Sequence, residues 1–269
     1  MENYIKLGKQ IISDGIKQNS RIGPTRALHN QVLKYDLSKG FPLMTTKYVG
    51  PKSIIHETLW YLQGTTSINY LEENKVFVWS QFADENKDIG KTYSYQFRNF
   101  GGVDQVKEVI KRLTKDDEEQ YTDRRAIINL FNSAELDQMS IPPCIAMLQF
   151  NVYWEDNKKY IDATILQRSA DFCLGVPYDI AEMALLTHII AAYVKAIPKE
   201  LAIFYSNIHV YEAHVETLKE QLEEEPKKLP ELGLDINRIR ATEPEELKPE
   251  WFEITSIPKG RKKFKYELF

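Results

Sequence analysis

One cysteine stands in a setting that suits a nucleophile. Cys144 directly follows Pro142 and Pro143, and each proline fixes its own φ, so the backbone approaches the cysteine along a restricted path. Arginines brought near by the fold would stabilise its thiolate and lower the pKa of the thiol. A buried structural role is the common alternative for a free cysteine, and Cys173, with its apolar neighbours, is interpreted in that way.

Four arginines could bind a phosphate group, because a guanidinium makes planar, two-pronged contacts to phosphate oxygens. They are Arg21, Arg124, Arg125 and Arg168. Arg124 and Arg125 are adjacent before a predicted strand, where neighbouring side chains point to opposite faces. Both can therefore meet one phosphate only if the chain bends or one side chain reaches away. Taken singly, each arginine is equally consistent with a solvated surface position.

Other polar side chains occur within apolar elements. Glu57 lies in a helical apolar pattern, where burial could raise its pKa and let it shuttle protons near neutrality, although an exposed helix glutamate is equally compatible. Asp179 is placed at the start of the next long helix, where it could simply complement the helix dipole. His209 and Tyr211 alternate on a predicted strand, so both could bind one sugar hydroxyl. Three aromatic residues could form a wall for a flat ring or could simply belong to the core: Trp79, Phe82 and Tyr93.

Composition narrows the class of protein. The 269 residues are 43% hydrophobic and 28% charged, which is ordinary for a globular enzyme. The net charge of −4 gives no general basic field for a stable nucleic-acid partner. Two cysteines form no disulfide framework, so a reducing cytoplasm is expected. No apolar stretch approaches the length of a membrane span, and no membrane association is expected.

Hydrophobic periodicity predicts one α+β domain over residues 1–269. Helices are predicted at 2–18, 51–64, 67–74, 103–113, 180–195 and 214–223. Strands are predicted at 26–37, 126–131, 147–153, 159–167 and 201–210. The helix at 180–195 is apolar with charges mainly at its ends, so it should be a central buried element. The charged run at 115–119 is interpreted as a solvated loop and the stretch at 224–250 as a surface excursion.

The ordered segments together resemble the thymidylate synthase family over nearly the whole chain. The matching segments are 40–47, 56–64, 83–86, 142–144, 167–171 and 184–188. The resemblance implies a three-layer α/β (α+β) fold with a large mixed sheet, which packs back to back in a homodimer. It also implies transfer of the one-carbon unit of 5,10-methylenetetrahydrofolate to C5 of a pyrimidine nucleoside monophosphate, without a metal.

The resemblance also implies a role for each candidate residue. Cys144 would attack C6 of the base, Glu57 would organise proton transfer, and Tyr93 would assist removal of the C5 proton. Asp179 would hold the edge of the base during catalysis. The residues implied in nucleotide binding are Arg21, Arg124, Arg125, Gln167, Arg168, Ser169, Asp179, His209 and Tyr211, with Arg124 and Arg125 reaching the other subunit's site. The residues implied in folate binding are Trp79, Asp171 and Gly175.

Three departures from the family pattern favour its (deoxy)cytidylate 5-hydroxymethylase branch. Asp179 stands where thymidylate synthases have an asparagine, and a carboxylate can accept a hydrogen bond from the 4-amino group of cytosine. Ile145 replaces the histidine that follows the nucleophile. The tail at 265–269 differs from the apolar tail that closes over folate, which would admit water to the reaction intermediate.

The sequence therefore predicts a hydroxymethyltransferase that adds water to give 5-hydroxymethyl-dCMP or 5-hydroxymethyl-CMP and tetrahydrofolate. The choice between dCMP and CMP stays open. Three alternatives also stay open: a thymidylate synthase that methylates dUMP, a cytidylate C5-methylase, and a non-catalytic binder of nucleotide or RNA.

Overall fold

The computed structural model describes residues 1–114 and 120–267, so the charged run at 115–119 lies outside the described residues. The helices are α1 (Glu2–Asp14), α2 (Pro51–Gln63), α3 (Asn69–Glu73), α4 (Tyr93–Arg98), α5 (Gln105–Thr114), α6 (Gly175–Tyr193), α7 (Val215–Leu222) and α8 (Ile236–Arg240). The strands are β1 (Ile16–Asn19), β2 (Pro24–Asp36), β3 (Ile127–Asn129), β4 (Ile145–Glu155), β5 (Lys158–Gln167), β6 (Ala170–Asp171), β7 (Ile197–Tyr211), β8 (Glu231–Leu234) and β9 (Phe252–Thr255).

A seven-stranded sheet organises the molecule. Its order is β1-β2-β7-β5-β4-β3, and the short strand β6 also pairs with β7. The pairs β5–β7 and β6–β7 are parallel, whereas β1–β2, β2–β7, β3–β4 and β4–β5 are antiparallel. This arrangement confirms the predicted mixed α/β fold with a large mixed sheet. The packing of that sheet against a second subunit stays a prediction.

The pairing of β4, β5 and β7 determines where the predicted site residues meet. Ile145 at the start of β4 pairs with Gln167 at the end of β5, and Gln167 also pairs with Tyr205 of β7. His209 of β7 pairs with Asp171 of β6. The segment before β4, the segment after β5 and the final third of β7 therefore lie at one end of the sheet.

Helix α6 covers one face of the sheet and is almost entirely buried, as its apolar sequence predicts. It begins at Gly175, five residues before the predicted start, because Pro177 is tolerated within a first helical turn. Asp179 is therefore one turn inside the helix. Its interpretation as a helix-start residue that complements the dipole is wrong.

Two further predicted elements differ from the structure. The helix predicted at 2–18 ends at Asp14, because Gly15 adopts extended backbone (φ −61°, ψ 131°) and the next residues form β1 along β2. The predicted excursion at 224–250 contains β8, which pairs with β9, and the short helix α8. One hydrophobic cluster includes residues from Tyr4 to Ile254, and the single domain stays a prediction.

None of the helices in the described part of the chain combines the length and the apolar character needed to cross a bilayer.

Candidate active site

The segment that carries Cys144 is held from both sides. The backbone N–H of Arg168 donates to the carbonyl of Cys144 at 2.8 Å, which extends the pairing of β4 and β5 by one residue. The Arg168 guanidinium donates to the carbonyls of Pro143 at 2.8 Å and Pro142 at 2.9 Å. The backbone N–H of Cys144 donates to the hydroxyl of Tyr93 at 2.7 Å. The double proline, an arginine and a tyrosine thus fix the position of the partly buried thiol.

The electrostatic environment of Cys144 differs from the sequence-based expectation. Burial raises the pKa of the Cys144 thiol, the nearby Asp179 carboxyl raises it further, and Arg168 lowers it. The expected lowering of the thiol pKa by arginines is therefore wrong for the free chain. Two N–H groups of Arg168 already donate to the carbonyls of Pro142 and Pro143. The burial of the thiol therefore raises its pKa by more than the attraction between the Arg168 charge and the thiolate lowers it.

Glu57 is buried, with 5% of its surface exposed, and this excludes the exposed-helix alternative. Its Oε1 accepts hydrogen bonds from the Trp79 indole N–H at 2.7 Å and the Tyr61 hydroxyl at 3.0 Å. Burial raises the pKa of Glu57, and these hydrogen bonds oppose the rise. The Trp79 ring lies 5.1 Å from Tyr93 and 5.9 Å from Phe82, and Trp79 and Tyr93 are buried, so these aromatics belong to the core and their role as a wall for a flat ring stays a prediction. Trp79 also orients Glu57 through the indole hydrogen bond, in addition to its predicted role in folate binding.

Asp179 faces Cys144 from helix α6 and is held by one amide. Nε2 of Gln167 donates to Oδ2 of Asp179 at 2.7 Å. Removal of the carboxyl from water raises the pKa of Asp179 to about 7, and the Gln167 hydrogen bond works in the opposite direction. A Cβ at Gly175 would lie 3.3 Å from the same Oδ2, so a glycine there leaves room for the carboxyl. The folate-binding role assigned to Gly175 stays a prediction.

A cavity of about 260 Å³ opens beside the nucleophile segment. It is lined by Gln18, Asn19, Ser20, Thr25, Arg168, Ser169, Asn207 and His209. Three of the predicted nucleotide-binding residues therefore meet in one space. The hydroxyl of Ser20 accepts from the backbone N–H groups of Ile22 at 3.2 Å and Gly23 at 3.1 Å. This turn presents exposed Arg21 at the edge of the cavity, near the Tyr211 hydroxyl that it influences.

His209 and Tyr211 lie on one face of β7, as their alternation predicts. Their rings meet edge to face with centroids 5.5 Å apart. Nδ1 of His209 lies 3.0 Å from the Asn207 side-chain oxygen. Because Nδ1 must donate to that oxygen, Nε2 is left as the acceptor of a neutral ring. Burial lowers the pKa of His209, with opposition from Asp171, so the neutral form suits a sugar hydroxyl.

Arg124 and Arg125 do not line this cavity. Both are exposed, and the Arg125 guanidinium makes two 2.9 Å contacts to the Asp123 carboxylate. The side chain of Arg125 is 72% exposed in spite of that ion pair. The chain therefore does not bring these two arginines to its own site, and their assignment to a partner's site stays a prediction.

Asp171 lies in a polar cluster at the other end of the site. Its Oδ1 accepts from the backbone N–H groups of Cys173 at 2.8 Å and Leu174 at 3.0 Å. Within the described residues these hydrogen bonds use only Oδ1, and the folate-binding role assigned to Asp171 stays a prediction. The Lys47 ammonium donates to the Cys173 carbonyl at 2.6 Å. Cys173 is buried, as predicted, and its side chain with those of Asp171 and His214 forms a group whose potential ligand atoms lie within 4.8 Å.

The C-terminal segment packs on the same cluster. The Tyr266 hydroxyl donates to Oε1 of Gln221 at 2.6 Å, and the Lys47 ammonium lies 4.9 Å from the Tyr266 ring centroid. The carbonyl of Glu267 lies 3.0 Å from Nε2 of His214. The tail thus packs beside Lys47 and His214, which lie next to Asp171 and Cys173. The final residues 268 and 269 lie outside the described part of the chain, so the predicted water access at the tail is not tested.

A larger cavity of about 580 Å³ lies between α5 and α8. It is lined by residues such as Lys107, Tyr193 and Arg240 and contains none of the predicted site residues. Its size alone does not make it the active site, because the nucleophile and the titratable groups converge elsewhere.

Sequence reasoning missed Glu182, which lies three residues after Asp179 on the same face of α6. Only 1% of its surface is exposed, and its Oε2 lies 3.1 Å from the Tyr61 hydroxyl. The sequence shows Asp179 and Glu182 inside this apolar helix, so the prediction that its charges lie mainly at its ends was incomplete. Two acids three residues apart in an otherwise apolar helix predict a pair of carboxyls that face one buried site.

Comparisons with known proteins agree with this geometry. A family model described as "Thymidylate synthase" matches residues 2–264. The thymidylate synthase of Buchnera aphidicola subsp. Schizaphis graminum (strain Sg) is 40% identical over 238 residues, which cover 86% of this chain and 87% of that relative. Neither comparison supports the hydroxymethylase branch that the three departures favour. The chain, with its cysteine, buried glutamate and arginine-lined cavity at one end of a mixed sheet, belongs to the thymidylate synthase family.

Proposed function

We propose that this chain transfers the one-carbon unit of 5,10-methylenetetrahydrofolate to C5 of a pyrimidine nucleoside monophosphate. The thymidylate synthase family uses this folate as its co-substrate. The observation that carries the proposal is the setting of Cys144, with Tyr93 on its backbone N–H and Arg168 across the same segment. A nucleophile held between a phenol and a phosphate-binding arginine suits a planar base that carries a 5′-phosphate.

The side chains divide the chemistry among them. Cys144 gives up its proton and its sulfur bonds to C6, which opens the C5–C6 double bond and makes C5 a nucleophile. Tyr93 assists removal of the C5 proton, and Glu57 organises proton transfer at the edge of the base. Arg21, Arg168 and Ser169 bind the phosphate, while His209 and Tyr211 bind the sugar. Methylenetetrahydrofolate supplies the carbon and, when hydride transfer follows, the two electrons that make it a methyl group.

The folate fits the residues at the Asp171 end of the site. Asp171 keeps Oδ2 for the pterin, since the described hydrogen bonds occupy Oδ1. Trp79 and Phe82 provide an aromatic surface next to Glu57. Lys47 places a cation beside this cluster, where an anionic glutamyl tail would be attracted.

The uracil nucleotide dUMP is the first candidate substrate, with a methyl group as product. The similar protein named thymidylate synthase and the family model support this choice, because the match extends over most of both chains. A thymidylate synthase reaction is therefore preferred to the hydroxymethylation expected from the three departures.

A cytosine nucleotide, dCMP or CMP, is the second candidate because of Asp179. Gln167 donates to Oδ2, which leaves Oδ1 for the base. With a pKa of about 7, Asp179 is present in both protonation states near neutrality. The ionised carboxyl can accept from a cytosine amino group, and the neutral carboxyl can donate to the uracil O4. Asp179 is therefore compatible with uracil as well as with cytosine.

The test is release of tritium from C5-labelled dUMP, dCMP and CMP in the presence of methylenetetrahydrofolate, with mass analysis of each product. We expect release from dUMP and a methyl product. Release from a cytosine nucleotide with a hydroxymethyl product would replace the first candidate by the second. The matched control is Cys144→Ser, which should lose C5 exchange; exchange near the wild-type rate would refute the assignment of the nucleophile.

A homodimer is part of the proposal, because the family is typically dimeric. Arg124 and Arg125 would then complete the phosphate site of the partner. The two free thiols of Cys144 and Cys173 fit a reducing cytoplasm, which stays a prediction.

A further inference from the structure

Glu57 does not lie alone in the protein interior. Glu182 reaches toward it from α6, and both carboxyl groups contact the hydroxyl of Tyr61. Within the described residues, Oε1 of Glu182 has no hydrogen-bond donor, although it is fully withdrawn from solvent. Two ionised carboxylates at these positions would repel each other strongly, because both side chains are buried away from solvent. The pair is stable only if one member holds a proton.

The number of hydrogens available at Tyr61 shows that one of the two carboxyl groups must be protonated. Its hydroxyl lies 3.0 Å from Oε1 of Glu57 and 3.1 Å from Oε2 of Glu182. A hydroxyl has one hydrogen, so it can donate to only one of these oxygens. The second short contact is then favourable only if that carboxyl donates its own proton to the hydroxyl oxygen. Geometry alone therefore requires one protonated carboxyl.

The proton belongs on Glu182. Oε1 of Glu57 also accepts the Trp79 indole N–H at 2.7 Å, and a charge-assisted hydrogen bond of this kind favours the ionised form. Glu182 has no comparable donor. Burial raises the pKa of Glu182 well above its ordinary value, and the charges of Glu57 and Asp179 raise it further. The hydrogen bonds consequently run from Glu182 to Tyr61 and from Tyr61 to Glu57.

Within the described residues, the titratable groups that interact with Glu57, Tyr61 and Glu182 are acids or phenols. Besides Glu57 and Tyr61 on α2, they are Tyr93 on α4 and Asp179 and Tyr178 on α6. Ionisation of any one of them raises the pKa of its neighbours. A single proton held on Glu182 therefore limits the negative charge beside Glu57 and Asp179.

We infer that Glu182 is a positioning residue that holds one buried proton and, through Tyr61, keeps Glu57 ionised and oriented for proton transfer. Glu182 does not touch the nucleotide in this role. The inference rests on the proposed function for its kinetic consequence, whereas the location of the proton can be measured without turnover.

The first experiment locates the proton. Protein labelled with ¹³C at the side-chain carboxyl of glutamate is titrated from pH 5 to 9 by NMR, without substrate. We expect one glutamate to remain protonated far above pH 4.5, and its resonance to be lost in Glu182→Gln. Met183→Leu, a packing change at the adjacent buried position, is the matched control and should keep it. If every carboxyl is ionised at pH 7, or if the protonated resonance survives Glu182→Gln, the inference is wrong.

The second experiment measures the consequence for catalysis. Glu182→Met removes the donor while roughly preserving side-chain length, and Glu182→Gln keeps a donor that cannot ionise. The acid limb of the kcat profile should move upward by about one pH unit in Glu182→Met, because Glu57 loses support for its charge, and kcat at pH 7 should fall by about two- to fivefold. Tyr61→Phe should move the limb in the same direction, and Glu182→Gln should leave its position unchanged.

A purely structural role would lower thermal stability without moving the limb, and that result would overturn the inference. The two proposals can fail separately. If no nucleotide releases C5 tritium, the proposed function fails while the NMR result still decides where the proton resides.

Discussion

At the scale of single residues, the site depends on polar side chains that the protein has withdrawn from water. Cys144, Glu57, Asp179 and Glu182 all have pKa values above their ordinary ones, with burial as the leading cause. With a pKa of about 7, Asp179 exchanges its proton near neutrality, which ordinary carboxyls do not. Burial favours the thiol form of Cys144 in the free chain, so substrate binding must change the environment of this residue before a thiolate forms.

Asp179 provides the prediction at this scale. Its pKa of about 7 means that the carboxyl is increasingly neutral below that pH and ionised above it. Neutral Asp179 donates to uracil O4, whereas ionised Asp179 repels O4 and attracts the cytosine amino group. We expect kcat/KM for dUMP to fall as pH rises through about 7, and the ratio of dCMP to dUMP turnover to rise.

Asp179→Asn is the control for this pH dependence, because an amide does not titrate. The variant should lose the pH-dependent change in the substrate ratio and should prefer dUMP throughout. Steady-state kinetics from pH 5.5 to 8.5 with both nucleotides measure the effect. The same pH-dependent ratio in wild type and variant would assign the titration to another group.

The residue types were readable from the sequence, but their environments were not. Cys144, Glu57, Arg168 and His209 converge as expected, since motif order and strand alternation constrain them. The direction of the Cys144 pKa shift was wrong, because sequence shows charge but not the loss of solvent around a thiol. The role of Trp79 as a donor to Glu57 depends on a contact between residues 22 positions apart, which no local pattern encodes.

At the scale of elements, two helices bring the acids together. Helix α2 carries Glu57 and Tyr61 one turn apart, and α6 carries Asp179 and Glu182 at a similar spacing. Because residues three or four apart share a helix face, two facing helices create a cluster without any loop. Long apolar helices were predicted well. The short strands β1 and β6 were missed, because their residues gain order only from pairing with distant strands.

Helix α1 provides the prediction at this scale. A Cβ on Gly8 would lie 2.8 Å from ring atoms of Phe172 and from Leu222 of α7. Phe172 is fully buried and stacks on Tyr4 with centroids 4.2 Å apart, so its ring has little room to move. Gly8→Ala should therefore destabilise the fold by about 1 kcal/mol, since overpacking exceeds the gain in helix propensity.

Urea unfolding at constant pH measures this destabilisation. Gly23→Ala is the matched control, because a Cβ there meets nothing within 4 Å. Equal or greater stability of Gly8→Ala relative to the unsubstituted chain would show that α1 can shift away from Phe172 without cost.

At the scale of the whole molecule, the described chain lines the proposed phosphate site with only one of its four candidate arginines, Arg168. Arg168 and the Ser20 turn face the cavity, while Arg124 and Arg125 are exposed elsewhere. A twofold dimer would bring the partner's pair to each cavity, and residues of one chain would then be required in the site of the other. This arrangement gives the prediction at the largest scale.

Mixing two inactive variants tests the shared site. Cys144→Ser is inactive in chemistry, and the double substitution of Arg124→Ala with Arg125→Ala should lose most phosphate binding. After the subunits are unfolded and refolded together, random pairing should restore about a quarter of the wild-type sites. Each variant refolded alone is the control. Activity that stays at the level of the separate variants would mean that both arginines are dispensable or serve their own chain.

The central position of β7 has a consequence for how the protein is made. β2 pairs along its length with β7, and the adjacent Arg26 and Glu212 that lock this pairing are 186 residues apart. During synthesis, β2 leaves the ribosome long before β7 has been made. Its edge and its apolar face therefore stay unpaired and exposed until β7 emerges. Completion of the sheet therefore depends on the last third of the chain. A polypeptide that ends before β7 would keep β2 unpaired. It would be a substrate for chaperones or proteases and not a smaller enzyme.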